Sequence, residues 1–185
     1  MRQVLVTTER LLIRRPEASD LALMRCLFCD QTMMKYLGGV WSEEQTADAL
    51  QEWHDHWGIN NRWYGTLLLK ESGDPIGTAG FTQDTIPDEP GLELSWFVLP
   101  QLQGRGLATE ITQELLRCAF EELGADRMVG ETHPGNPSST RVLQKLGFEC
   151  LGERHNTYDF LPGIDRQMLW ALTKEMWQSQ INPAG

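Results

Sequence analysis

Leu92 to Phe120, LELSWFVLPQLQGRGLATEITQELLRCAF, is the stretch of sequence that decides the fold. From Leu92 to Leu99 apolar and aromatic residues are interspersed with polar ones at alternate positions, which indicates a strand. Pro100 ends it, because proline cannot donate to a sheet ladder. Two glycines follow within QGRGLA, and apolar residues then recur at helical spacing. The stretch therefore predicts a strand, a glycine-rich turn and a helix.

The glycine-rich turn has the properties of an anion site. Glycine lets the backbone approach a ligand closely, and the free N–H groups and dipole at a helix start attract anions. The turn lacks the Lys-Ser/Thr pair of the Walker loop, and Thr109 occupies the last position of the dinucleotide fingerprint, which requires Gly or Ala. We interpret the turn as a main-chain phosphate cradle. The alternative is an ordinary turn between a strand and a helix.

Three segments carry a resemblance to one family. Gln103-x-x-Gly106-x-Ala108 resembles the pyrophosphate loop of the GNAT superfamily of N-acetyltransferases, which hold the diphosphate of acetyl-CoA. Residues 8–14, TERLLIR, are similar to the opening strand of its Rim-type branch, which acetylates ribosomal-protein N-termini (alanine or serine). Residues 136–148, N-x-x-S-x-x-V-x-x-K-x-G-F, resemble a later segment of the same enzymes. The three segments occur in the order and at the separations that the family has, and the resemblance, which includes the order of elements given next, covers nearly the whole chain.

The predicted order of elements is β-α-α-β-β-β-α-β-α-β-β. Three consecutive strands favour a meander, so we expect a mixed, mostly antiparallel sheet of about seven strands flanked by about four helices. This is an α/β (α+β) class, and the resemblance implies a single-domain GNAT fold over residues 1–177, with 178–185 as a frayed tail. Within it we expect one strand from Val4 to Arg15 and one helix from Glu17 to Leu37. Ser42 opens the next helix with a capping box, S-x-x-Q.

The composition excludes several classes of protein. Its 185 residues suffice for one domain with a hydrophobic core, and 41% hydrophobic with 23% charged residues is typical of a globular protein. The formal net charge of −10 argues against a nucleic-acid partner and is compatible with a cationic substrate. Without an apolar run of about eighteen residues or a signal-peptide pattern, no membrane association is expected. Four irregularly spaced cysteines favour a cytoplasmic protein.

The resemblance implies binding roles for acetyl-CoA, the expected acyl donor. Backbone groups on the central strand would pair with the pantetheine arm as an added strand does. The N–H groups of the glycine-rich turn would hold the diphosphate, and Asn136 would bond the pantetheine. Arg141 could reach a CoA phosphate, although an exposed helical arginine is the alternative. The implied set is Phe97, Val98, Leu99, Gln103, Gly104, Arg105, Gly106, Leu107, Ala108, Thr109, Asn136, Ser139 and Arg141.

Acetyl transfer to an amine needs a group that accepts a proton, a donor to the oxyanion and help for the departing thiolate. Glu93 is the candidate base, acting through a water, and a surface glutamate is the alternative interpretation. The Val98 N–H would be the oxyanion donor if the strand bulges there. Many family members use a tyrosine as general acid where this chain has Leu143. Ser139 would then be the donor to sulfur, and Tyr158 is a weaker substitute.

We therefore predict an acyl-CoA-dependent N-acyltransferase that acts by direct attack in a ternary complex. The acceptor is left open between a protein N-terminus and a small amine, which includes a detoxifying role. A non-catalytic acyl-CoA sensor is the alternative from another class. The C-x-x-C at residues 26–29 lies in a helical stripe, which favours buried core thiols over a thioredoxin-like redox site. No metal is expected, because His54 and His56 point in different directions on a helix and no third ligand is evident in the sequence. The protein is expected to be a monomer or a homodimer.

Overall fold

The computed structural model describes residues 4–83, 86–155 and 163–181. In these ranges the strands are β1 (Val4–Thr7), β2 (Leu11–Arg14), β3 (Trp63–Leu69), β4 (Pro75–Gln83), β5 (Leu92–Val98), β6 (Arg127–Thr132), β7 (Glu149–His155) and β8 (Arg166–Thr173). The α-helices are α1 (Leu21–Phe28), α2 (Glu43–Asp55), α3 (Leu107–Arg117), α4 (Pro137–Lys145) and α5 (Lys174–Ile181). Over this described part of the chain, no helix is both long and apolar enough to cross a membrane.

The eight strands form a sheet in the order β1-β2-β3-β4-β5-β6-β8-β7. Neighbouring strands are antiparallel except β5 and β6, which are parallel. A parallel pair needs a crossover connection, and α3 supplies it here. The predicted α/β (α+β) fold with a mixed, mostly antiparallel sheet is confirmed, with one strand and one helix more than expected.

The larger core lies between the sheet and α3. Ile111 and Leu115 of α3 are fully buried and belong to the same cluster as Ala79 and Phe81 of β4. Helical spacing on α3 and alternation along β4 bring these side chains to one interface. Phe120, in a π-helical turn that extends α3, stacks on Trp177 of α5. The helices α3 and α5 therefore cover the same face of the sheet.

The opposite face is covered by α1 and α2 through an aromatic cluster. Phe28 of α1 stacks on Trp41 at 4.6 Å between ring centroids and meets Phe97 of β5 edge-on at 4.8 Å. Trp53 of α2 meets Tyr64 of β3 edge-on at 4.4 Å. These contacts make the aromatic residues around α2 part of the packing between helices and sheet.

Two predicted boundaries are wrong for local reasons. The single strand from Val4 to Arg15 is two strands, because Thr8 forms a tight turn in which its N–H donates to Leu11 O (2.8 Å) and its hydroxyl accepts from Leu11 N–H (2.9 Å). The helix expected to reach Leu37 ends at Phe28. Soon after it, the Asp30 carboxylate accepts the Met33 N–H (2.8 Å), a local bond that competes with helix continuation.

Other boundaries follow the sequence closely. The capping box of α2 is present: Ser42 Oγ accepts from Gln45 N–H (3.0 Å) and Gln45 Oε1 accepts from Ser42 N–H (2.8 Å). The C-terminal boundary, in contrast, differs from the prediction: α5 continues to Ile181, whereas the sequence suggested a frayed tail from residue 178.

A buried ion pair joins the start of α1 to the sheet. Asp20, only 2% exposed, accepts two bonds from the Arg14 guanidinium, both 2.8 Å, and one from Thr66 Oγ1 at 2.6 Å. Burial alone would raise the pKa of the Asp20 carboxyl, but hydrogen bonds from Arg14, Thr66 and the Glu17 N–H outweigh it and hold that pKa below its ordinary value. Asp20 thus attaches α1 to β2 and β3.

Removing Asp20 should strongly destabilise the fold. Asp20→Ala leaves the Arg14 guanidinium without its buried partner, so we expect the free energy of unfolding in urea to fall by about 3–5 kcal/mol. Glu52→Ala, which breaks the exposed Arg62–Glu52 pair, should cost at most about 1 kcal/mol. Because the folded pKa of Asp20 is depressed, its contribution is complete above the unfolded pKa near ~4 and is lost as the pH falls through the folded value. Equal losses in the two variants would contradict this role.

Candidate active site

A cleft opens where β5 and β6 separate. The two strands are paired at Leu92 with Met128 and at Glu93 with Val129, and at no later position among the described residues. The resulting cleft has a volume of about 560 Å³. Its lining comes from six places: the end of β5, the turn before α3 with the first residues of that helix, the end of β6, α4, the connection between α1 and α2, and Gln167 of β8. Consecutive residues from Leu94 to Val98 line it, so it is open to both faces of the sheet.

The backbone of β5 offers hydrogen-bonding groups to the cleft at alternate residues. Leu99 N–H donates to Ile76 O (2.9 Å), which places Leu99 in a hydrogen-bonded pair with the neighbouring chain. Backbone groups alternate between the two edges of a strand, so Phe97 also turns toward β4, while Trp96 and Val98 turn toward the cleft. The Val98 carbonyl accepts from Gln103 Nε2 (2.9 Å). Of the three residues expected to pair with pantetheine, Val98 turns its backbone N–H and C=O to the cleft, whereas Phe97 and Leu99 turn theirs toward β4, although Phe97 still lines the cleft.

The bulge that the sequence-based prediction required at Val98 is not seen in the pairing of β5 with β4. The register runs from Gly77–Val98 to Gln83–Leu92 without a shift. The Val98 N–H faces the cleft through ordinary strand alternation, so its role as an oxyanion donor stays a prediction that needs no bulge.

The glycine-rich turn lines the neighbouring wall of the cleft. Gly104 and Gly106 have φ values of +72° and +77°, a region that side-chain-bearing residues rarely adopt. The first helical bond of α3 joins Glu110 N–H to Gly106 O (3.0 Å), so the amides of the first three helical residues precede the ladder and point out of the helix start. The lining residues from this turn are Gln103, Gly104, Gly106, Leu107, Ala108 and Thr109. Arg105 is outside that lining and donates to Gln101 O (3.2 Å).

A clamp from β1–β2 holds this turn from behind, and sequence reasoning missed it. Arg10 donates through Nε to Glu110 Oε2 (2.6 Å) and through Nη1 to Arg105 O (3.2 Å). Thr8 Oγ1 donates to Glu110 Oε1 (2.5 Å). Burial alone would raise the pKa of Glu110, but bonds from Thr8 and Arg10 outweigh it and lower that pKa. In the sequence, this clamp is indicated only by the segment TERL at residues 8–11, because its Thr8 and Arg10 are the two residues that contact α3.

The start of α4 places Asn136 and Ser139 beside the cleft. Asn136 Oδ1 accepts from Ser139 N–H (3.3 Å), which caps the helix. Since a backbone N–H can only donate, the amide oxygen faces it, and Nδ2 donates to Ser139 Oγ (3.1 Å). Ser139 Oγ therefore acts as an acceptor toward Asn136 and keeps its own hydrogen for another partner. Leu143, at the usual tyrosine position, is buried in the core, and Tyr158 lies outside the described residues.

Two cations of α4 also line the cleft. Arg141 is exposed and donates to Pro137 O (3.2 Å), and Lys145 lies one helical turn further on. Residues four apart share a helix face, so both side chains are on the side of α4 that borders the cleft. The sequence pointed to Arg141 as a phosphate contact and used Lys145 only as part of the motif.

Glu93 lies among polar side chains on the face of the sheet that α1 and α2 cover. Alternation puts it on the face of Ser95, and Ser95 lines the cleft whereas Glu93, where the strands are still paired, does not. Tyr64 donates to or accepts from Thr78 Oγ1 (2.9 Å) and also bonds Ser95. Burial, with the neighbouring charge of Glu93, raises the pKa of the Tyr64 phenol, which stays protonated. Glu93 is thus close to the cleft but does not line it, because Ser95 lies between Glu93 and the cleft on the same face of the strand.

The mouth of the cleft is bridged by two rings that sequence reasoning did not connect. Tyr36, between α1 and α2, stacks on His133 at the end of β6, with centroids 5.1 Å apart. The Gly135 N–H donates to His133 Nδ1 (2.9 Å), which orients that ring. Glu131 of β6 and Gln167 of β8 line the wall beneath. In residues 4–83, 86–155 and 163–181, no three His, Cys, Asp or Glu side chains are grouped as a metal site.

Comparisons with known proteins point to one family. A family model for the acetyltransferase (GNAT) domain matches residues 10–149. The uncharacterized N-acetyltransferase YnaD of Bacillus subtilis is 28% identical over 180 residues, which span 93% of this chain and 98% of that protein. A GNAT-family acetyltransferase from Bacillus anthracis has a TM-score of 0.78 at 25% identity over 92% of this chain and 98% of its own. The ribosomal-protein-S5-alanine acetyltransferase from Vibrio fischeri shares the fold, with a TM-score of 0.73 at 17% identity over 93% and 97%.

The clamp behind the glycine-rich turn should matter for binding more than for stability. Arg10→Met removes the bonds to Glu110 and to Arg105 O, so the turn is held less firmly. We expect the affinity for CoA, measured by calorimetry, to fall about tenfold, equivalent to about 1.4 kcal/mol. Arg62→Met, which breaks an exposed ion pair far from the turn, should leave that affinity unchanged. Unaltered CoA affinity in the Arg10 variant would show that the glycine-rich turn keeps its shape without the bonds from Arg10.

Proposed function

The chain belongs to the acetyltransferase (GNAT) domain family, and we propose that it moves an acetyl group from acetyl-CoA to a primary amine by direct attack in a ternary complex. The observation that supports this most is the cleft between β5 and β6. It opens to both faces of the sheet, with the glycine-rich turn and α4 on the side of α3 and a polar, carboxylate-bearing surface on the side of α1 and α2. Donor and acceptor can therefore meet from opposite sides.

The donor side fits the parts of acetyl-CoA. The free amides at the start of α3, with the helix dipole, suit a diphosphate, and the exposed cations Arg141 and Lys145 suit further phosphate charge. The cleft-facing backbone of Trp96 and Val98 suits the amides of a pantetheine arm laid along an open strand edge. In this arrangement the thioester lies near Val98 and Ser139.

The chemistry then divides among three groups of this chain. The amine nitrogen attacks the thioester carbonyl carbon, the C–N bond forms and the C–S bond breaks. The nitrogen, protonated at the start, loses two protons in all. One passes through a water beside Ser95 to Glu93 and on to solvent. The Ser139 hydroxyl gives its proton to the departing CoA thiolate, and the second proton from the nitrogen returns to Ser139 Oγ. The Val98 N–H donates to the oxyanion.

Ser139 is suited to this part of the reaction because its oxygen already accepts from Asn136 Nδ2 (3.1 Å). Its hydrogen is then directed elsewhere, toward the cleft that it lines. The acceptor we propose is a primary amine, carried by a peptide N-terminus or by a small molecule. The approach past Tyr36 and His133 is where these two kinds of acceptor would be distinguished.

Distorting the glycine-rich turn should abolish donor binding. In Gly106→Val a β-branched side chain strains a backbone with φ of +77°, and its Cβ comes 3.8 Å from Arg10 Nη2 of the clamp, so the turn that presents the free amides changes shape. Wild-type protein at a hundred times the Kd of acetyl-CoA should be stabilised by about 2.7 kcal/mol, seen as a rise in melting temperature, and the variant should show no rise. Gly73→Val carries the same strain (φ +75°) in the β3–β4 turn and should keep the full rise. A full rise in Gly106→Val would show that the diphosphate lies elsewhere.

Removing the carboxylate of Glu93 should slow the reaction without loosening the donor. Glu93→Gln keeps the shape of the side chain but cannot accept a proton. We expect kcat to fall about 100-fold in a thiol-release assay, with the KM for acetyl-CoA unchanged. Glu71→Gln, at an exposed turn, is the control. Equal turnover would reject Glu93 as the base, while an absence of transfer by the wild-type protein to every amine tested would favour an acyl-CoA sensor.

A further inference from the structure

The last turn of α1 carries two cysteines at the surface of the protein. Cys26 is exposed and Cys29 is partly exposed, so the expectation that both are buried core thiols is wrong. Both lie outside the buried stripe of the helix, which consists of Leu23, Met24, Leu27 and Phe28. The other two cysteines lie elsewhere in the fold: Cys118 is buried in the π-helical turn after α3, and Cys150 is exposed on β7. The thiols of α1 are thus accessible and three residues apart.

The spacing of these two cysteines suits a disulfide. In an ideal α-helix, Cα atoms three residues apart are separated by about 5 Å, within the roughly 4.4–6.8 Å that disulfides span. Their Cβ atoms are about 5–6 Å apart, however, and a disulfide needs about 3.5–4.5 Å. Tightening the last turn to a 3₁₀ turn closes this difference, because side chains three residues apart then eclipse one another.

The end of α1 is a place where such tightening is possible. The helix ends at Phe28, and Cys29 is its C-cap, with φ of −95° and ψ of 6°. The Cys29 N–H donates to Arg25 O (3.0 Å), and in a 3₁₀ turn this bond would move by one residue to Cys26 O. A disulfide here therefore changes the last turn of the helix and not its interior.

In the reduced form, the Cys29 thiol holds the end of α1 against α2. Its Sγ lies 3.4 Å from Thr46 Oγ1, and Thr46 is fully buried. The Thr46 hydroxyl donates its one hydrogen to Ser42 O (2.8 Å), so the thiol is the donor in its contact with Thr46. A disulfide sulfur carries no hydrogen. Oxidation of Cys29 therefore removes this bond between the two helices.

The residue before Cys29 connects this turn to the cleft. Phe28 stacks on Trp41 and meets Phe97 of β5 edge-on, and its carbonyl accepts from the Trp41 N–H (2.8 Å). Phe97 lines the cleft, on the side that the acceptor occupies in the proposed function. Tightening the last turn of α1 would rotate the backbone at Phe28, so a change at the thiols would reach the acceptor through one packed ring.

We propose that Cys26 and Cys29 are a reversible redox site that reacts with a low-molecular-weight disulfide, and that the bond between them weakens the binding of the acceptor amine. The exposed Cys26 thiolate attacks the small disulfide, whose S–S bond breaks and releases one small thiol. Cys29 then attacks Cys26 Sγ in the mixed disulfide, which forms the Cys26–Cys29 bond and releases the second thiol. Two electrons pass from the cysteines to the small disulfide, and the two thiol protons leave with its halves. The effect on the acceptor rests on the proposed function, whereas the redox site does not.

The chemical test uses oxidised glutathione as the small disulfide and the full chain with Cys150→Ser, which removes the other exposed thiol. Trypsin cleaves after Arg25 and Lys35, so both cysteines of α1 fall in one peptide, residues 26–35. After oxidation and alkylation, we expect this peptide to be two hydrogen atoms lighter than its reduced form, with neither an alkyl group nor glutathione attached. Dithiothreitol should return both thiols. Two alkylated cysteines, or glutathione retained on Cys26, would overturn the redox site.

The kinetic test compares the oxidised and reduced proteins, with hexylamine and a short peptide with a free N-terminus as acceptors. Oxidation should raise the KM for the better acceptor about tenfold, roughly the loss of one hydrogen bond, and leave the KM for acetyl-CoA unchanged. Cys29→Ser, in the same background, is the matched control. Its hydroxyl still donates to Thr46 Oγ1 but cannot close the disulfide, so glutathione stays on Cys26 and the KM for the amine keeps its reduced value.

The two tests separate the redox site from the proposed function. A disulfide that forms without changing the KM for the amine overturns its effect on the acceptor. An equal rise in the Cys29→Ser control overturns that effect too, because a bulky group on Cys26 would then be the cause. A disulfide that forms in a protein that binds acetyl-CoA but transfers nothing to either amine overturns the proposed function, and with it the effect on the acceptor, and leaves the redox site standing.

Discussion

The two-position pairing of β5 with β6 is the constraint on which the rest of the structure depends. They are the parallel neighbours in an otherwise antiparallel sheet, and a parallel pair can be joined only by a crossover. The crossover helix α3 begins soon after β5 ends, so its N-terminus lies beside the place where the strands separate. The anion-binding end of a helix and an open strand edge are thus neighbours as a consequence of topology.

Strand alternation assigns the two sides of the cleft. Leu94 and Val98 turn their side chains into the core under α3, while Phe97 turns into the aromatic cluster under α1 and α2. Glu93 and Ser95 share the face of Phe97, so polar groups accumulate beyond the cleft on the side away from α3. In the proposed function, this single strand would present its backbone to the donor and its side chains to the acceptor. The ion pair of Asp20 with Arg14 keeps α1 attached to that second face.

The sequence predicted those parts of the fold that depend on local pattern. The strand, turn and helix from Leu92 to Phe120, the capping box of α2 and the mixed sheet follow from alternation, helical spacing and turn residues, which are properties of short segments. It failed where a single side chain redirected the chain, as Thr8 does between β1 and β2 and Asp30 does after α1. These bonds are local too, but Thr and Asp are common enough that their presence predicts little.

In the candidate site, too, the features that belong to a local sequence motif were predicted, and those that depend on contacts distant in sequence were not. The glycine-rich turn and Asn136 were found because each belongs to a continuous motif. The clamp of Arg10 on Glu110 joins residues 100 positions apart, and the position of Glu131 depends on the register between two strands, so neither has a local signature. The net charge of −10 likewise obscures a separation of charge within the cleft: Arg141 and Lys145 line it from α4, and Glu131 lines it from the end of β6. Under the proposed function, the cations of α4 would attract a polyanionic donor and repel a cationic acceptor, so the same charges that attract one substrate would also keep the two from exchanging places.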